Sequence, residues 1–202
     1  MNYSDELVNI TQEDELNMRN YINSVTQLSE QSIQRILRIV ARSEYPKGYM
    51  LFEENRKNRD IYFVSKGIAR VYYLQDGVEA TLQFAFEGEV LLSLKSYVEN
   101  KLGYENIELL EPGILFKMEY PEIDKLYEEN VEIANWGRKL AEKELIKMEE
   151  RQMSQQFKGA AQRYSDLLEK YPQLLQRVQL GHIASYLGVS QVTLSRIRAD
   201  IK

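Results

Sequence analysis

Apolar positions in the first forty residues recur with helical spacing. The pattern is helical from Thr11 to Ala41, and the segment SEQSIQRILRIVAR forms one apolar stripe from Ile33, Ile36, Leu37 and Val40. Ser29 comes just before this stripe and is a predicted N-cap, because its hydroxyl can accept a hydrogen bond from a free amide of the first turn. The pattern predicts that this helix ends as the chain approaches Pro46.

Between Tyr45 and Tyr120 the apolar period changes to two. Short runs of β-branched and aromatic residues alternate with turn residues, which is typical of strands. We predict strands in YMLFEE, DIYFVSKG, IARVYYLQDG, VEATLQFAFEG, YENIELLEPG and ILFKMEY. Asp76 and Gly77 separate two alternating runs and predict a type I′ hairpin, because glycine adopts a positive φ without strain. The spacing of these strands indicates an antiparallel barrel or roll.

After Pro121 the pattern is helical again for about thirty residues. One face repeats with 7-4-3-4 spacing, in Ala134, Ala141, Leu145, Met148 and Gln152. This seam favours pairing with a second long helix, and hence dimerisation. The alternative is a long helix that lies on the roll.

Gly159 interrupts the helical pattern where the charge of the chain changes sign, and we predict a hinge there. The segment AAQRYSDLLEK then predicts a further helix. It must end by Tyr171, because the residue before Pro172 disfavours helical ψ.

The segment HIASYLGVSQVTLSRIR, from His182 to Arg198, predicts two short crossing helices. Their inner stripes are Ile183, Ala184 and Leu187 in the first helix, and Leu194, Ile197 and Ile201 in the second. Ala184 is small where the backbones approach, and Gly188 stands where a sharp turn needs no Cβ. Ser190 is the predicted N-cap of the second helix.

The outer face of the second helix carries hydrogen-bond donors and positive charge, which suit a DNA major groove. Glutamine can pair with adenine, arginine with guanine, and valine can contact a thymine methyl group. The predicted DNA-binding residues are Ser190, Gln191, Val192, Thr193, Ser195, Arg196 and Arg198. The alternative is an ordinary helical hairpin with solvated arginines.

Charge is distributed unevenly along the 202 residues, whose formal net charge is -5. Residues 1–150 hold 18 Lys and Arg against 28 Asp and Glu, a net charge of -10, whereas residues 151–202 hold 8 against 3, a net charge of +5. Phosphate attraction extends only about one Debye length, ~8–10 Å. A local basic surface can therefore bind a polyanion although the whole chain is acidic.

Composition excludes most catalytic centres. Cysteine is absent and His182 is the single histidine, so thiolate nucleophiles, iron-sulfur clusters and multi-histidine metal sites are not available. We expect no enzyme, no catalytic residue, no metal and no cofactor. The start of the chain is acidic, and no apolar run approaches the ~20 residues that span a bilayer, so we expect a cytoplasmic protein without membrane contact.

The order of these parts resembles the Crp/Fnr family of bacterial transcription regulators over essentially the whole chain. The matching residues are SKGIARVYYLQDG and FEGEV in the strands, the long helix after Pro121, and IASYLGVSQVTLSRI. The resemblance implies an α+β fold: an antiparallel β-roll of the cyclic-nucleotide-binding type (a double-stranded β-helix) with N-terminal helices over residues 1–120, a long dimerisation helix over 121–156, and an all-α helix-turn-helix domain over 157–202. No wing is evident after the second helix.

The resemblance also implies a homodimeric regulator that binds a palindromic operator in double-stranded DNA and has RNA polymerase as a further partner. Gln191, Val192 and Arg196 fall at the base-reading positions of the family. The alternative function is a non-catalytic binding or scaffold module that acts through the roll without binding DNA.

The resemblance assigns effector binding to Gly88 and Glu89, which match a Gly-Glu pair of nucleotide-binding members. Those members hold the cyclic phosphate with an arginine pair, where this sequence has Tyr104 and Glu105. A carboxylate repels a phosphate, so cyclic AMP is not the expected ligand. The sequence leaves open whether the effector is another small molecule or none.

Overall fold

The computed structural model of the protein describes residues 10–200. Two helices come first, α1 (Gln12–Val25) and α2 (Glu30–Leu37). Ser29 caps α2 as predicted, since its Oγ accepts a hydrogen bond from the Ser32 amide at 3.3 Å. The helical prediction is wrong at its end, because Val40 and Ala41 pair with the last strand of the roll and begin a strand themselves.

Within the described residues, eight strands form the roll: β1 (Val40–Tyr45), β2 (Met50–Phe52), β3 (Ile61–Lys66), β4 (Ala69–Gln75), β5 (Val78–Ala85), β6 (Val90–Leu91), β7 (Asn106–Leu109) and β8 (Gly113–Met118). They make two four-stranded antiparallel sheets with the orders β1-β8-β3-β6 and β2-β7-β4-β5. A short helix, α3 (Leu94–Glu99), connects β6 to β7. The predicted antiparallel roll is confirmed, although β1 and β6 were not predicted.

The β4–β5 hairpin turns at the predicted dipeptide. Asp76 has a φ of 52° and Gly77 a φ of 78°, and Gln75 pairs with Val78 across the turn. Both central residues thus have the positive φ that a type I′ turn requires.

Side chains of the roll itself fill the space between the two sheets. Ten buried residues from both sheets pack together there: Tyr45, Phe52, Tyr62, Val64, Ala69, Ala85, Leu91, Ile107, Leu109 and Leu115. Alternate residues of each strand supply them, as the period of two requires.

Between the roll and residue 200, where the described part of the chain ends, there are six helices: α4 (Tyr120–Glu129), α5 (Val131–Phe157), α6 (Ala160–Lys170), α7 (Leu174–Arg177), α8 (Leu180–Leu187) and α9 (Gln191–Asp200). The helical stretch predicted after Pro121 is thus two helices, because Asn130 leaves helical geometry at a φ of -142°. Its Oδ1 accepts hydrogen bonds from the amides of Glu132 at 2.9 Å and Ile133 at 3.1 Å, which caps α5. The helix α6 has the predicted bounds. The division of the chain into three domains stays a prediction.

The first half of α5 belongs to the core on the outer side of one sheet. Ile133, Trp136 and Leu140 are buried there with residues of α1, α2, α4 and the β1-β8-β3-β6 sheet. Trp136 is fully buried, and its indole N–H donates to the carbonyl of Ile22 at 3.2 Å. The N-terminal helices of the same chain therefore cover this tryptophan.

Candidate nucleic-acid interface

The last two helices meet at a tight turn with a shared apolar core. Ile183, Ala184 and Leu187 of α8 are buried against Leu194 of α9, as the two inner stripes predict. Gly188 turns the chain with a φ of +66°, and the Val189 amide donates to the carbonyl of Ala184 at 3.0 Å. Ile197 is half-buried, and Ile201 lies outside the described residues.

Ser190 holds the start of α9, because its Oγ accepts a hydrogen bond from the Thr193 amide at 3.1 Å. Every residue assigned to DNA is exposed: Ser190, Gln191, Val192, Thr193, Ser195, Arg196 and Arg198. The side chains of one polar face are thus free of the protein core. Within residues 10–200, neither Arg196 nor Arg198 forms an ion pair with an acidic side chain.

A glycine that the sequence analysis did not single out makes room for Gln191. A Cβ on Gly181 of α8 would lie 2.8 Å from Nε2 of Gln191, closer than real Cβ contacts allow. The side-chain amide of Gln191 therefore lies against the backbone of α8 at Gly181. The absence of a side chain at Gly181 thus determines the position of the Gln191 amide, which is predicted to pair with adenine.

The helix-turn-helix packs directly on the roll. One buried cluster joins Ile68, Phe84, Phe86 and Leu110 of the roll to Tyr164, Leu167, Leu174, Val178, Ile183, Ala184, Leu187 and Leu194 of the last four helices. The rings of Phe86 and Tyr171 are stacked with centroids 4.0 Å apart. Burial of this much apolar surface holds the two parts in one arrangement.

Ser185 of α8 bonds to the open edge of the roll. The strand β5 ends its sheet, so one side of its backbone lacks a neighbouring strand. Ser185 Oγ accepts from the Thr81 amide at 2.9 Å and lies 2.8 Å from the Glu79 carbonyl oxygen, to which it donates. The helix thereby satisfies edge groups that would otherwise need water.

A charged network lies under α8. Arg70 of β4 is only 1% exposed, and its guanidinium contacts Glu79 Oε2 at 2.6 Å, Glu108 Oε1 at 2.9 Å and Thr81 Oγ1 at 2.9 Å. Such pairing is what allows an arginine to be buried. Burial lowers the pKa of nearby His182, and the positive charge of Arg70 lowers it further, so His182 is neutral at neutral pH.

Arg177 makes a second polar link between the roll and the last helices. Its Nη2 donates to Glu87 Oε1 at 2.6 Å, and it also contacts Glu111. The guanidinium holds the pKa of Glu87 below its ordinary value, against the effect of burial. Sequence analysis missed Arg177, Arg70 and Ser185. Each contacts a residue more than thirty positions away in the chain, and a local sequence pattern does not reveal such contacts.

Gly88 and Glu89, the predicted effector pair, lie at the turn before β6. Gly88 has a φ of +83°. Glu89 Oε2 accepts from the Phe86 amide at 3.1 Å, and Oε1 lies 3.3 Å from the Tyr171 hydroxyl and 3.6 Å from Lys147 Nζ. The carboxylate of Glu89 thus faces α5 and α6.

A sequence profile described as the cyclic nucleotide-binding domain matches residues 42–130. FixK2 from Bradyrhizobium japonicum has 20% sequence identity and a TM-score of 0.70, over 81% of this chain and 84% of that chain. The c-di-GMP responsive global regulator CLP from Xanthomonas campestris has 16% identity and a TM-score of 0.68, over 85% and 90% of the two chains. A Eubacterium rectale protein assigned to the Crp/Fnr family has 18% identity and a TM-score of 0.68, over 88% and 85%.

The chain has the fold of the Crp/Fnr regulators. The resemblance read from the sequence is therefore confirmed at the level of the fold. No curated protein sequence matches this chain.

Within this Crp/Fnr fold, most of the predicted seam of α5 is exposed, while Met148 also faces a space between α5, α6 and β5 of the same chain. Ala141, Leu145, Met148 and Gln152 are exposed, with 65% exposure for Leu145 and 59% for Met148, while Ala134 is half-buried. Ile146, Met153 and Phe157 add exposed apolar surface beside them. The second half of α5 thus presents an uncovered apolar strip.

Tyr104 and Glu105, which occupy the positions of the family's arginine pair, differ in their exposure to solvent. Tyr104 is 53% exposed, whereas Glu105 is 5% exposed and its Oε1 has no hydrogen-bond partner among the described residues. A buried carboxylate therefore stands where a cyclic phosphate would need positive charge.

Residues 10–200 lack both a metal-binding cluster of side chains and a membrane-spanning helix. Those residues contain no group of three or more histidine, cysteine, aspartate or glutamate side chains that could hold a metal ion. They also contain no helix that is long and apolar enough to cross a bilayer.

Proposed function

We propose that this protein is a sequence-specific, DNA-binding transcription regulator of the Crp/Fnr type that acts as a homodimer. The observation that carries the proposal is the outer face of α9, which exposes Gln191, Val192, Ser195, Arg196 and Arg198 on a helix fixed by a capped tight turn. A major groove accommodates such a helix and presents partners for these side chains.

Charge supports the same function. Residues 151–202 have a net charge of +5, and the two arginines of α9 form no ion pair within the described part of the chain. The acidic remainder of the protein repels the DNA elsewhere and limits non-specific adhesion.

The exposed strip of α5 supports the dimer. Leu145 and Met148 are large apolar side chains that the second half of α5 leaves exposed, and the 7-4-3-4 spacing of the seam matches knobs-into-holes packing with a second α5. Two copies related by a two-fold axis would bind half-sites about one helical turn apart, ~34 Å, and hence a palindromic operator. RNA polymerase is the partner through which such a regulator would act on transcription.

The effector of this regulator is not cyclic AMP. The interior of the roll is filled by its own side chains, and Glu105 puts a buried carboxylate at the place where a phosphate would bind. Of the predicted effector pair, Glu89 contacts Lys147 of α5 and Tyr171 at the end of α6 rather than a cyclic nucleotide.

A pair of arginine variants tests DNA binding by this surface. Arg196→Ala removes a predicted base contact and lowers affinity for the selected operator by ~1–3 kcal/mol, whereas Arg56→Ala is the matched control, an exposed arginine of the β2–β3 loop. Fluorescence anisotropy with labelled DNA measures both. Equal affinities for Arg196→Ala and Arg56→Ala, or no DNA binding by the unmodified protein, would favour the scaffold function of the roll.

A further inference from the structure

A cavity of about 570 Å³ lies between β5, the second half of α5, α6 and α8. Its wall is largely apolar and aromatic, with contributions from Phe84, Met148, Met153, Phe157, Leu167, Tyr171 and Tyr186. A smaller cavity of about 110 Å³ shares Leu167, Tyr171 and Tyr186 with it. The larger volume is within the ~300–1,000 Å³ range of small-molecule sites.

Most charged groups around the larger cavity neutralise one another. Lys147 Nζ lies 2.7 Å from Glu144 and 3.6 Å from Glu89. Lys158 Nζ lies 2.6 Å from Asp166. One lysine thus faces two glutamates and the other faces one aspartate, so neither lysine is without an acidic partner and these groups together have a net charge of -1.

Arg151 is the exception. Its guanidinium donates to the Thr81 carbonyl at 3.1 Å and lies over the ring of Tyr186 at 4.9 Å, but it contacts no carboxylate among the described residues. Its Nε is buried without a hydrogen-bond partner. Burial lowers the pKa of Arg151 below its ordinary value, and no acidic side chain among the described residues opposes this effect.

The smaller cavity concentrates this unbalanced charge. Three cations line it, Arg151, Arg163 and Lys170, against one acid, Asp166, which Lys158 already neutralises. Among the described residues, Arg163 donates only to the backbone carbonyls of Lys158 at 2.6 Å and Leu187 at 2.7 Å, and its Nε is buried without a partner there. Arg151 and Arg163 are half-buried and Lys170 is exposed, and an anion between them would give these cations the acidic partner that the described residues do not supply.

We propose that the two cavities together bind a small organic anion. Its acidic group contacts Arg151, Arg163 and Lys170 in the smaller cavity, and its aromatic or aliphatic body occupies the larger one. The cations come from α5 and α6 and not from the roll, whereas Glu89 of the predicted effector pair lies on the wall of the larger cavity. Because β5, α5, α6 and α8 all form its walls, an occupant contacts the roll, the long helix and the helix-turn-helix at once.

Two fluorescent probes test this site in the full-length protein without DNA, so the result is independent of the proposed DNA binding. 1-Anilinonaphthalene-8-sulfonate carries a sulfonate on an aromatic body, and N-phenyl-1-naphthylamine is nearly the same body without charge. Titration of each probe is compared in the unmodified protein, in Arg151→Gln, and in the control Arg138→Gln, an exposed arginine of the same helix α5.

We expect Arg151→Gln to weaken binding of the sulfonate about tenfold, the size of one charged hydrogen bond, and to leave the neutral probe unchanged. Arg138→Gln should change neither probe. If Arg151→Gln does not fold by circular dichroism, Arg163→Gln carries the same expectation. Equal sulfonate affinities in the arginine variants and the control, or loss of the sulfonate signal only on Leu145→Lys at the exposed strip, would overturn the proposal.

Discussion

Gly188 is the residue on which the geometry of the helix-turn-helix depends most directly. Its φ of +66° is left-handed, and a side chain with a Cβ adopts that region only with strain. Ser190 follows two residues later and fixes the first turn of α9. Together they determine the direction in which Gln191 and Arg196 leave the protein.

Two glycine variants test this role by stability. Gly188→Ser should destabilise the protein by about 1–2 kcal/mol, because serine is strained at a positive φ. Gly159→Ser should have little effect, since Gly159 has a φ of -66° at an N-cap, where serine is favoured. Apart from the two chain neighbours, no atom of the described residues lies within 4 Å of a Cβ at either position, so backbone conformation alone separates them. Urea denaturation measures both, and equal losses would contradict this account.

The contact between α8 and the edge strand β5 is the main polar joint at the scale of elements. Ser185 accepts from the Thr81 amide and donates to the Glu79 carbonyl, while Arg151 of α5 donates to the Thr81 carbonyl. Side chains from α8 and α5 thus make hydrogen bonds to the β5 backbone that a neighbouring strand would otherwise make. Displacement of α8 would leave this backbone edge open to water or to another strand.

Hydrogen exchange at one amide tests the joint. Ser185→Ala removes the acceptor of the Thr81 amide, and exchange there should rise about two- to tenfold, which corresponds to ~0.5–1.5 kcal/mol for one hydrogen bond. Ser195→Ala is the control, because Ser195 is an exposed serine of α9. Unchanged exchange at Thr81 in Ser185→Ala would show that the roll and α8 are not joined at this point.

Local pattern predicted the elements whose signal is short-range. The Asp76-Gly77 hairpin, the end of α6 before Pro172 and the turn at Gly188 each follow from the preferences of one or two residues. The break at Asn130 was missed, because asparagine is tolerated in a helix and caps α5 only when the chain bends. Val40 was assigned to a helix because its place in a strand depends on pairing with Met118, 78 residues later.

The candidate site was predictable only where its residues face solvent. The outward positions of α9 follow from helical periodicity, so Gln191 and Arg196 could be named in advance. Arg70 and Ser185 could not, since their roles depend on how the last helices pack against the roll. Arg151 has no sequence signal at all, because a half-buried cation without an acid is visible only in three dimensions.

At the scale of the whole molecule, the exposed strip of α5 is the feature that a single chain does not explain. It lies on the half of α5 that is C-terminal to the buried residues around Trp136. A second copy packed along it would bury Leu145 and Met148 and place two α9 helices on one assembly.

A charge on the strip tests the dimer. Leu145→Lys should convert the dimer to monomer, because a lysine at the centre of an apolar helix pair loses its hydration. Val98→Lys is the matched control, since Val98 of α3 is 68% exposed and Leu145 is 65% exposed. Sedimentation equilibrium measures the mass of each variant. A monomeric unmodified protein, or a dimeric Leu145→Lys, would contradict the proposed interface.

The central claim is that two copies of α9, held by one dimer, read DNA. The most direct measurement is selection of bound sites by the full-length protein from random double-stranded DNA, followed by sequencing. We predict enrichment of a two-fold symmetric site whose half-sites are about 10–10.5 base pairs apart between centres, with enrichment lost in Arg196→Ala. Failure to enrich any sequence, or enrichment of single asymmetric sites only, would contradict the account.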